Sequence, residues 1–359
     1  MQKFLKISFL NIIILILLIE FLSFILIKIN FLPNGMPTSI ILNAHEKFGY
    51  WHPKNTNFKI ATKCWESNIK FNNMGIKSNQ EFKFIKEKKR VAILGDSMTE
   101  NAQLNNEIDF ASKLQKLLPD FEVINFSVSS TGLADHINIY NRLIKKYDVD
   151  YIFYYVTFND FSDNHSSKIR PMRMAYNVID NKVVEINSDK TLYFKNYNSS
   201  WNKFKRDKLI HIKKISNFYK FYHYLKWEME IFKFNKKEKN INKNVVDKNI
   251  LFSQKKKVYE YLVNKANKEI FSQVPTLIFM NSDNVNFTNE TKEIVALKDI
   301  YRNYNFFDPR QEFIAYLKNN NKLEIPYLGF NCDAHYSELG ARLLAEYSFE
   351  KFNTFLKDN

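Results

Sequence analysis

The chain has 359 residues, of which 45% are hydrophobic and 16% aromatic, and its net charge is +15. That length and apolar content suffice for one large or two modest folded domains. The 33 Phe and 20 Tyr residues require burial, the two cysteines cannot hold a scaffold together, and there are only seven glycines. Intrinsic disorder, disulfide scaffolds and collagen-like chains are therefore excluded.

The first feature along the chain is an apolar run from Phe4 to Ile27, interrupted by charge only at Lys6 and Glu20. At about 1.5 Å per helical residue, the run is long enough to cross a bilayer. A cleavable signal peptide is the alternative, but signal peptides have a shorter apolar region, and no A-x-A-like cleavage site follows. The sequence thus predicts an uncleaved, single-pass membrane anchor over residues 1–32.

Charges near the apolar run set the expected orientation. Lys3, Lys6 and the amino terminus precede the run, whereas Lys28 follows it, and this bias favours a cytoplasmic N-terminus. We therefore expect the rest of the chain on the extracytoplasmic (periplasmic) side. Glu20 lies deep in the run, where a carboxyl group is costly, so it would either face a partner's helix or stay neutral and hydrogen-bonded.

Strand and helix patterns alternate after a turn-rich lead-in, residues 33–89. RVAILGD, FEVINFSV, DYIFYYVTFN and VPTLIFMN read as buried strands, and FASKLQKLLP and SELGARLLAEYSFEKF read as helices. Such alternation is typical of a parallel sheet covered on both faces. We predict an α/β fold, a three-layer doubly wound parallel sheet, formed by residues 90–164 and 261–359.

Residues 165–260 interrupt this alternation and form a basic, aromatic-rich insertion. YNVIDNKVVEIN predicts a hairpin that turns at Asp180-Asn181, and we expect the aromatic, lysine-rich sequence after it to be helical. The insertion has 23 Lys and Arg against 9 Asp and Glu, so it carries +14 of the chain's +15. Its aromatic residues include Trp201, Phe204, Tyr219, Tyr222, Tyr224 and Trp227.

Two interpretations of the insertion stay open. It could line an anionic glycan groove or lie on acidic lipid headgroups, to which each nearby cation contributes about 1 kcal/mol. Alternatively, it is a solvated helical appendage whose aromatic residues pack on the core. Nucleic acid is not an expected partner for a domain outside the cytoplasm.

A serine follows the first predicted strand, in Gly95-Asp96-Ser97. At the carboxyl end of a strand, its hydroxyl would project into the crevice where open α/β sheets bind ligands. Gly95 permits a sharp turn there, and the Ser97 backbone N–H can face a developing oxyanion. An ordinary helix N-cap at Asp96 or Ser97 is the alternative interpretation.

An acid and a histidine precede the last predicted helix, in Asp333-Ala334-His335. Residues two apart in an extended segment project to the same side, so the carboxylate and the imidazole can pair. Asp333 would then hold His335 in the tautomer whose other nitrogen accepts a serine proton. The alternative is a surface histidine beside a helix capped by Asp333 or Ser337.

Two further strand ends carry groups suited to an oxyanion. Asn159, with Asp160, ends the third predicted strand, and its side-chain amide can donate a hydrogen bond into the crevice. Gly132 follows the second strand, where the missing side chain lets a backbone N–H approach closely. A turn at Asn159-Asp160 and a helix entry at Gly132 are the ordinary alternatives.

In this order, the four elements resemble the blocks of the SGNH (GDSL-type) hydrolase superfamily, over about residues 90–164 and 271–352. Residues 45–88 also resemble the lead-in of its membrane-anchored bacterial members. The resemblance implies an SGNH, flavodoxin-like sheet. Phe158 stands where a glycine often precedes the Asn-Asp pair, and Ser337 where an asparagine often follows the histidine. Because both can reshape the pocket, the resemblance does not identify the substrate.

The resemblance also implies a role for each site residue. Ser97 would be the nucleophile, His335 the general acid/base and Asp333 its orienting carboxylate. The amides of Ser97 and Gly132 and the Asn159 side chain would form the oxyanion hole. The implied activity is serine ester hydrolysis through an acyl-serine, removing acyl (acetyl) groups from a cell-envelope carbohydrate. An O-acyltransferase acting on a surface glycan, or a non-catalytic module that binds glycan or a partner, is the alternative.

The sequence offers little for metals or cofactors, and we expect neither. None of the seven histidines forms a helical i, i+4 pair with another, and C-x-x-C and glycine-rich phosphate loops are missing. Cys64 and Cys332 would form a bridge outside the cytoplasm or remain as two buried thiols.

Overall fold

The computed structural model describes residues 2–168, 172–186, 198–200, 202, 215–238, 245–281, 290–320, 328–330 and 333–359. Its α-helices are α1 (Gln2–Lys28), α2 (Ser97–Glu100), α3 (Phe110–Leu117), α4 (Leu133–Arg142), α5 (Asp160–Asp163), α6 (Asn217–Glu238), α7 (Val245–Ala266), α8 (Lys292–Tyr301), α9 (Arg310–Asn319) and α10 (Glu338–Asp358). Trp201, Phe204 and Cys332 lie outside the described residues.

The strands within the same residues are short. They are β1 (Asn43–His45), β2 (Gly49–Trp51), β3 (Thr56–Ala61), β4 (Glu66–Phe71), β5 (Lys89–Leu94), β6 (Phe121–Asn125), β7 (Tyr151–Val156), β8 (Ala175–Ile179), β9 (Lys182–Ile186), β10 (Thr276–Met280), β11 (Phe306–Phe307), β12 (Gly329–Phe330) and β13 (Asp333–Tyr336).

A five-stranded parallel sheet in the order β11-β10-β7-β5-β6 forms the centre. Numbered by first appearance, its strands run 2-1-3-4-5, the flavodoxin-like doubly wound order. Val91 of β5 pairs with Val123 of β6 on one side and with Tyr151 of β7 on the other. The predicted parallel α/β sheet is confirmed, and β11 adds a two-residue fifth strand that the sequence pattern did not predict.

Helices cover both faces of this sheet. On one face, α4, α7 and α8 contribute buried side chains such as Ile137, Leu262 and Leu297 to one apolar cluster. On the other face, α3 and α10 contribute Leu114 and Leu344 to a second cluster. Strands enclosed in this way must be apolar on both sides, which explains their nearly unbroken apolar runs. The three-layer arrangement follows.

The lead-in lies beside the turn that follows β5. Strands β3 and β4 pair antiparallel, and their buried residues form a third apolar cluster together with Ala102, just after α2. The Lys77 ammonium is buried there, donating to Asp109 Oδ2 at 2.6 Å and to the Asn101 carbonyl at 3.0 Å. Because this buried ammonium has both acceptors in the segment from α2 to α3, it fixes the lead-in against that segment. The division into separate domains stays a prediction.

The described residues of the insertion include two strands, the helix α6 and most of the helix α7. The antiparallel strands β8 and β9 are joined at Asp180 and Asn181, which have φ values of 47° and 60°. Positive φ at both central residues is the type I′ geometry that suits the twist of a hairpin. The helix α7 packs on the core through Tyr259 and Leu262, whereas α6 packs beside α1.

The apolar helix α1 is long enough to cross a membrane. Its segment Ile7–Lys28 has a mean hydropathy of 2.9, and 11% of that segment is buried against the rest of the chain. A helix of this kind near the N-terminus fits either an anchor or a signal sequence. The Glu20 carboxylate within it accepts hydrogen bonds from the backbone amides of Asn217 at 2.5 Å and Phe218 at 3.0 Å, at the start of α6.

The Arg90 guanidinium links the chain segments at the amino ends of the sheet strands. Its side chain is buried, and it donates to Glu122 Oε2 and to the carbonyl oxygens of Lys83, Phe84 and Tyr147. These carbonyls belong to connections that enter or leave the sheet. One cation therefore satisfies several buried backbone acceptors that would otherwise lack partners.

Arg90→Met should lower the free energy of unfolding by about 3 kcal/mol, because it leaves those carbonyls and the Glu122 charge without a donor. Urea denaturation of the detergent-solubilised chain, followed by tryptophan fluorescence, measures this change. Arg302→Met is the matched control, since the Arg302 side chain is 71% exposed, and its effect should stay within about 0.5 kcal/mol. Equal unfolding midpoints for the two variants would contradict the role given to Arg90.

Candidate active site

Ser97 lies at the first turn after β5, at the carboxyl edge of the sheet. Asp96 is the N-cap of α2, and its Oδ1 accepts from the Met98 amide at 3.0 Å. A Cβ at Gly95 would lie 2.3 Å from Thr99 Oγ1 and 3.0 Å from the Tyr155 carbonyl, so glycine is required for the turn to close. The N-cap interpretation is correct for Asp96, and the cap itself positions the serine that follows.

The structure brings Ser97, His335 and Asp333 into one hydrogen-bonded line. His335 Nε2 lies 2.8 Å from Ser97 Oγ, although the two residues are 238 positions apart. His335 Nδ1 is hydrogen-bonded to Asp333 Oδ1, which also accepts from the His335 backbone amide at 3.1 Å. Because Asp333 and His335 share one face of β13, the carboxylate orients the ring and leaves Nε2 as the acceptor toward the hydroxyl.

The second oxygen of Asp333 has donors that the sequence patterns did not indicate. Trp65 Nε1 donates to Asp333 Oδ2 at 2.9 Å, and Gln103 Nε2 lies 3.4 Å from the same atom. Trp65 belongs to the connection between β3 and β4, and its neighbour Cys64 is disulfide-bonded. The lead-in thus supplies a direct partner of the carboxylate that orients the histidine.

Asp333 and His335 each stabilise the charged form of the other. Burial by itself would lower the pKa of His335, but the hydrogen bond and charge of Asp333, with weaker contributions from Asp96 and Glu100, raise it above its usual value. Burial would likewise raise the pKa of Asp333, yet His335 and Trp65 hold it below the usual range. Asp333 is therefore a carboxylate at neutral pH, and His335 is a stronger base than free imidazole.

Gly132 is placed differently from its expected use. Its amide donates to Asp135 Oδ2 at 3.1 Å, within the N-cap of α4. A Cβ at this position would lie 2.5 Å from Asn164 Oδ1, so close packing accounts for the glycine. The oxyanion role of Gly132 stays a prediction.

Ser130, two residues earlier, has the backbone geometry usually reserved for glycine. Its φ is 67°, in the left-handed region, and within the described chain its amide has no hydrogen-bond partner. The preceding Ser129 amide donates to Glu100 Oε2 at 2.6 Å, and the Val128 amide donates to the Gly95 carbonyl at 3.2 Å. These contacts place the loop that includes Ser130 beside the turn that carries Ser97.

Asn159 follows β7 at the same sheet edge, and its amide already has acceptors. Nδ2 donates to Asp163 Oδ2 at 2.8 Å and lies at a longer 3.3 Å from Asp96 Oδ2. Asp160 beside it is fully buried, and burial, with the nearby Asp96 and Asp163 charges, raises its pKa well above the usual range. The predicted oxyanion contact of Asn159 therefore requires one of its N–H groups to leave a carboxylate.

A buried His52–Glu100 pair was also missed by the sequence patterns. His52 Nε2 lies 2.7 Å from Glu100 Oε1, while Glu100 Oε2 accepts from the amide and the hydroxyl of Ser129. Burial would raise the pKa of Glu100, but His52 and Ser129 hold it below its usual value. The pair connects the lead-in, the helix that begins at Ser97 and the loop that carries Ser130.

The sheet order and the residues at its carboxyl edge together decide the fold. Ser97 follows the first strand of the sheet, and the Asp333–His335 pair immediately precedes the last helix. The chain has a doubly wound α/β fold around a parallel sheet with the flavodoxin-like strand order. Within the described part of the chain, no group of three or more His, Cys, Asp and Glu side chains could hold a metal ion.

The sequence matches no family model and no curated protein. The structure is similar to that of an acetyl xylan esterase, at 14% identity and a TM-score of 0.37 over 73% of this chain and 98% of the other. It is also similar to a lipase/acylhydrolase from Enterococcus faecalis, at 10% identity and a TM-score of 0.40 over 73% and 94%. A catalytic mutant of an acetylxylan esterase from Geobacillus stearothermophilus is 12% identical, with a TM-score of 0.38 over 75% and 96%.

Those TM-scores lie below 0.5, so the site is judged on its own geometry. The two departures from the SGNH pattern are accommodated locally. Phe158 packs against the core cluster below the sheet, and Ser337 is the N-cap of α10, its Oγ lying 3.4 Å from the Gly340 amide.

Asp333→Asn should lower the pKa of His335, because it removes the anion that favours the imidazolium. In the parent chain His335 should titrate above 6.5, and an NMR pH titration of the histidine ring protons measures both values. His45 is the internal control: burial and nearby lysines hold its pKa below 6.5, and this value should not change. An unaltered His335 titration in the variant would show that Asp333 does not govern the imidazole.

Proposed function

We propose that the protein is a serine esterase that works through an acyl-serine intermediate. The observation that supports this most directly is the 2.8 Å contact between Ser97 Oγ and His335 Nε2, with Asp333 on the opposite ring nitrogen. A hydroxyl, a base and an orienting acid in line are the requirements for nucleophilic catalysis by serine. The raised pKa of His335 suits it to accept a proton near neutral pH.

The reaction would proceed in two steps, the acylation of Ser97 and its deacylation by water. His335 takes the Ser97 proton as Oγ attacks the ester carbonyl, and the leaving alcohol then takes that proton as its bond to the acyl carbon breaks. A water molecule next gives a proton to His335 and attacks the acyl-serine. The Ser97 oxygen leaves with this proton, and the carboxylic acid is released.

For the oxyanion, the Ser97 amide is the first donor, because it lies at the helix start and has no partner within α2. The unpartnered Ser130 amide is a better second donor than the Gly132 amide, which is hydrogen-bonded to Asp135. Asn159 would supply a third donor by releasing its longer contact with Asp96. The two backbone amides are fixed by the surrounding fold, so they stabilise the transition state without having to reorganise, whereas Asn159 has to exchange one hydrogen bond.

We propose an acylated, in particular acetylated, cell-envelope carbohydrate as the substrate. Two of the similar structures are named acetyl xylan esterases, which makes a sugar ester the natural first substrate to test. We further propose that α1 is an uncleaved anchor with a cytoplasmic N-terminus. The disulfide-bonded Cys64 supports an extracytoplasmic location for the body, because disulfides persist in oxidising compartments.

Ser97→Ala should reduce kcat/KM for p-nitrophenyl acetate by at least about 10³-fold, because it removes the nucleophile. It should also abolish covalent labelling by a fluorophosphonate probe. Ser272→Ala changes a serine at the end of the π-helical turn Asn267–Phe271 and should leave both readouts unchanged. Full activity in Ser97→Ala would overturn the esterase, and unlabelled parent protein would favour the non-catalytic glycan-binding alternative.

Hydrolysis and transfer share the acyl-serine and differ only in the acceptor. Incubating the full chain with an acetylated glycan and an unacetylated oligosaccharide separates them, because free acetate reports hydrolysis and acetylated oligosaccharide reports transfer. We expect free acetate to dominate. Predominant acetyl transfer would instead identify an O-acyltransferase.

Replacing the amide of Ser130 by an ester, through incorporation of the corresponding hydroxy acid, removes the N–H alone. We expect kcat to fall by about 10²–10³-fold with little change in KM, as for loss of one oxyanion donor. The same exchange at Gly132 is the matched control and should lower the melting temperature more than kcat, because that N–H caps α4. The opposite pattern would return the oxyanion role to Gly132.

A further inference from the structure

The helix α6 presents an exposed apolar stripe. Its members are Phe218, Tyr222, Leu225 and Met229, with exposures of 44%, 52%, 41% and 56%, and Ile215, which is 75% exposed, precedes the helix. Spacings of three and four residues place these four helical residues within an arc of about 60° at 100° per residue. Large apolar residues aligned on one helix face mark an interaction surface rather than chance exposure.

The opposite face of α6 is already occupied. Glu20 of α1 accepts from the first amides of α6, and the Ser216 hydroxyl donates to the same carboxylate at 3.0 Å. One turn later, Lys220 Nζ lies 3.2 Å from Asn34 Oδ1, and Lys63 lies 5.2 Å from the ring centroid of Tyr224. The helix is thus fixed against α1 and the lead-in, and its apolar stripe faces outward.

The position of this contact along α1 indicates what covers the stripe. Glu20 lies eight residues before the end of α1, about 12 Å along the helix, so α6 begins beside the last part of the segment that would cross the bilayer. Ile29 and Phe31, immediately after α1, are also 65% and 66% exposed. An apolar surface that continues from a membrane-crossing helix is expected to meet the same membrane.

The charge of the surrounding segment indicates the kind of lipid. Residues 165–260 carry a net charge of +14, and Lys226 is exposed on the flank of the stripe. Lysines beside an apolar face are typical of helices that lie in the interface of anionic bilayers. We propose that α6 binds the surface of an anionic membrane, with the stripe at the boundary of headgroups and acyl chains. This rests on the proposed anchoring by α1.

Membrane contact by α6 would also determine how far Ser97, His335 and Asp333 lie from the membrane. The connection between β3 and β4 contacts α6 through Lys63 and Asp333 through Trp65, two residues later. One short turn therefore separates the membrane-binding helix from the acid that orients His335. The cleft would be held close to the bilayer, where it meets esters carried on or near the membrane surface.

Depth-dependent fluorescence quenching on the full chain tests this. Leu225→Cys is labelled with an NBD fluorophore and reconstituted into vesicles containing about one quarter phosphatidylglycerol in phosphatidylcholine, with acyl-brominated lipid as the quencher. Ile85→Cys, at an apolar side chain of the body that is 84% exposed, is the matched control, and Leu15→Cys reports insertion of α1. The parent chain, taken through the same labelling, supplies the background from its own cysteines, and melting temperatures show that the variants are folded.

We expect a blue-shifted emission for the Leu225 label and quenching at least about twofold stronger than for the Ile85 label, reduced in pure phosphatidylcholine and by high salt. Quenching at Leu15 without quenching at Leu225 would overturn the proposal for α6 and leave the anchor standing. Loss of quenching at both positions would overturn the anchoring on which the proposal rests. Quenching at Leu225 that is equal in neutral and anionic vesicles would overturn its electrostatic part.

Discussion

The site depends on one buried carboxylate, that of Asp96. It accepts a hydrogen bond from the Met98 amide, another from Thr157 Oγ1 at 3.0 Å, and a longer one from Asn159 Nδ2. Met98 follows the first sheet strand, whereas Thr157 and Asn159 follow its neighbour β7. Burial raises the pKa of Asp96, and these donors offset part of that effect. The orientation of Ser97 therefore depends on an acid that cannot be moved without leaving a buried polar group unsatisfied.

Much of this arrangement could be predicted from the sequence, because its signals are local. Strands buried on both faces are unbroken apolar runs, and in a parallel sheet their carboxyl ends all lie at one edge. Polar residues that end such runs, Ser97 and Asn159, must therefore lie near each other. The alternation of residues along an extended segment likewise places Asp333 and His335 on one side. Neither inference needs knowledge of distant contacts.

The remaining features depend on contacts between distant segments and could not be predicted this way. No local pattern pairs Trp65 with Asp333, or His52 with Glu100, because the lead-in must first pack on the sheet. The use of Gly132 is ambiguous for another reason: a glycine can serve a close packing contact or a free amide, and only the position of Asn164 decides. The sequence does not indicate the free amide of Ser130, because serine rarely adopts a positive φ and nothing in its side chain predicts that conformation.

Charge is distributed unevenly between the site and the surface that we propose to bind membrane. The carboxyl edge of the sheet collects Asp96, Glu100, Asp160, Asp163 and Asp333 in a protein whose net charge is +15. The excess of cations belongs to residues 165–260. A neutral ester gains nothing from a field of either sign, whereas an imidazolium formed during the reaction is stabilised by nearby carboxylates. We propose that Asp333, Asp96 and Glu100, which raise the pKa of His335, favour the proton transfer and that the cations serve the position of the molecule at the membrane, which is why the two sets can lie in different parts of the chain.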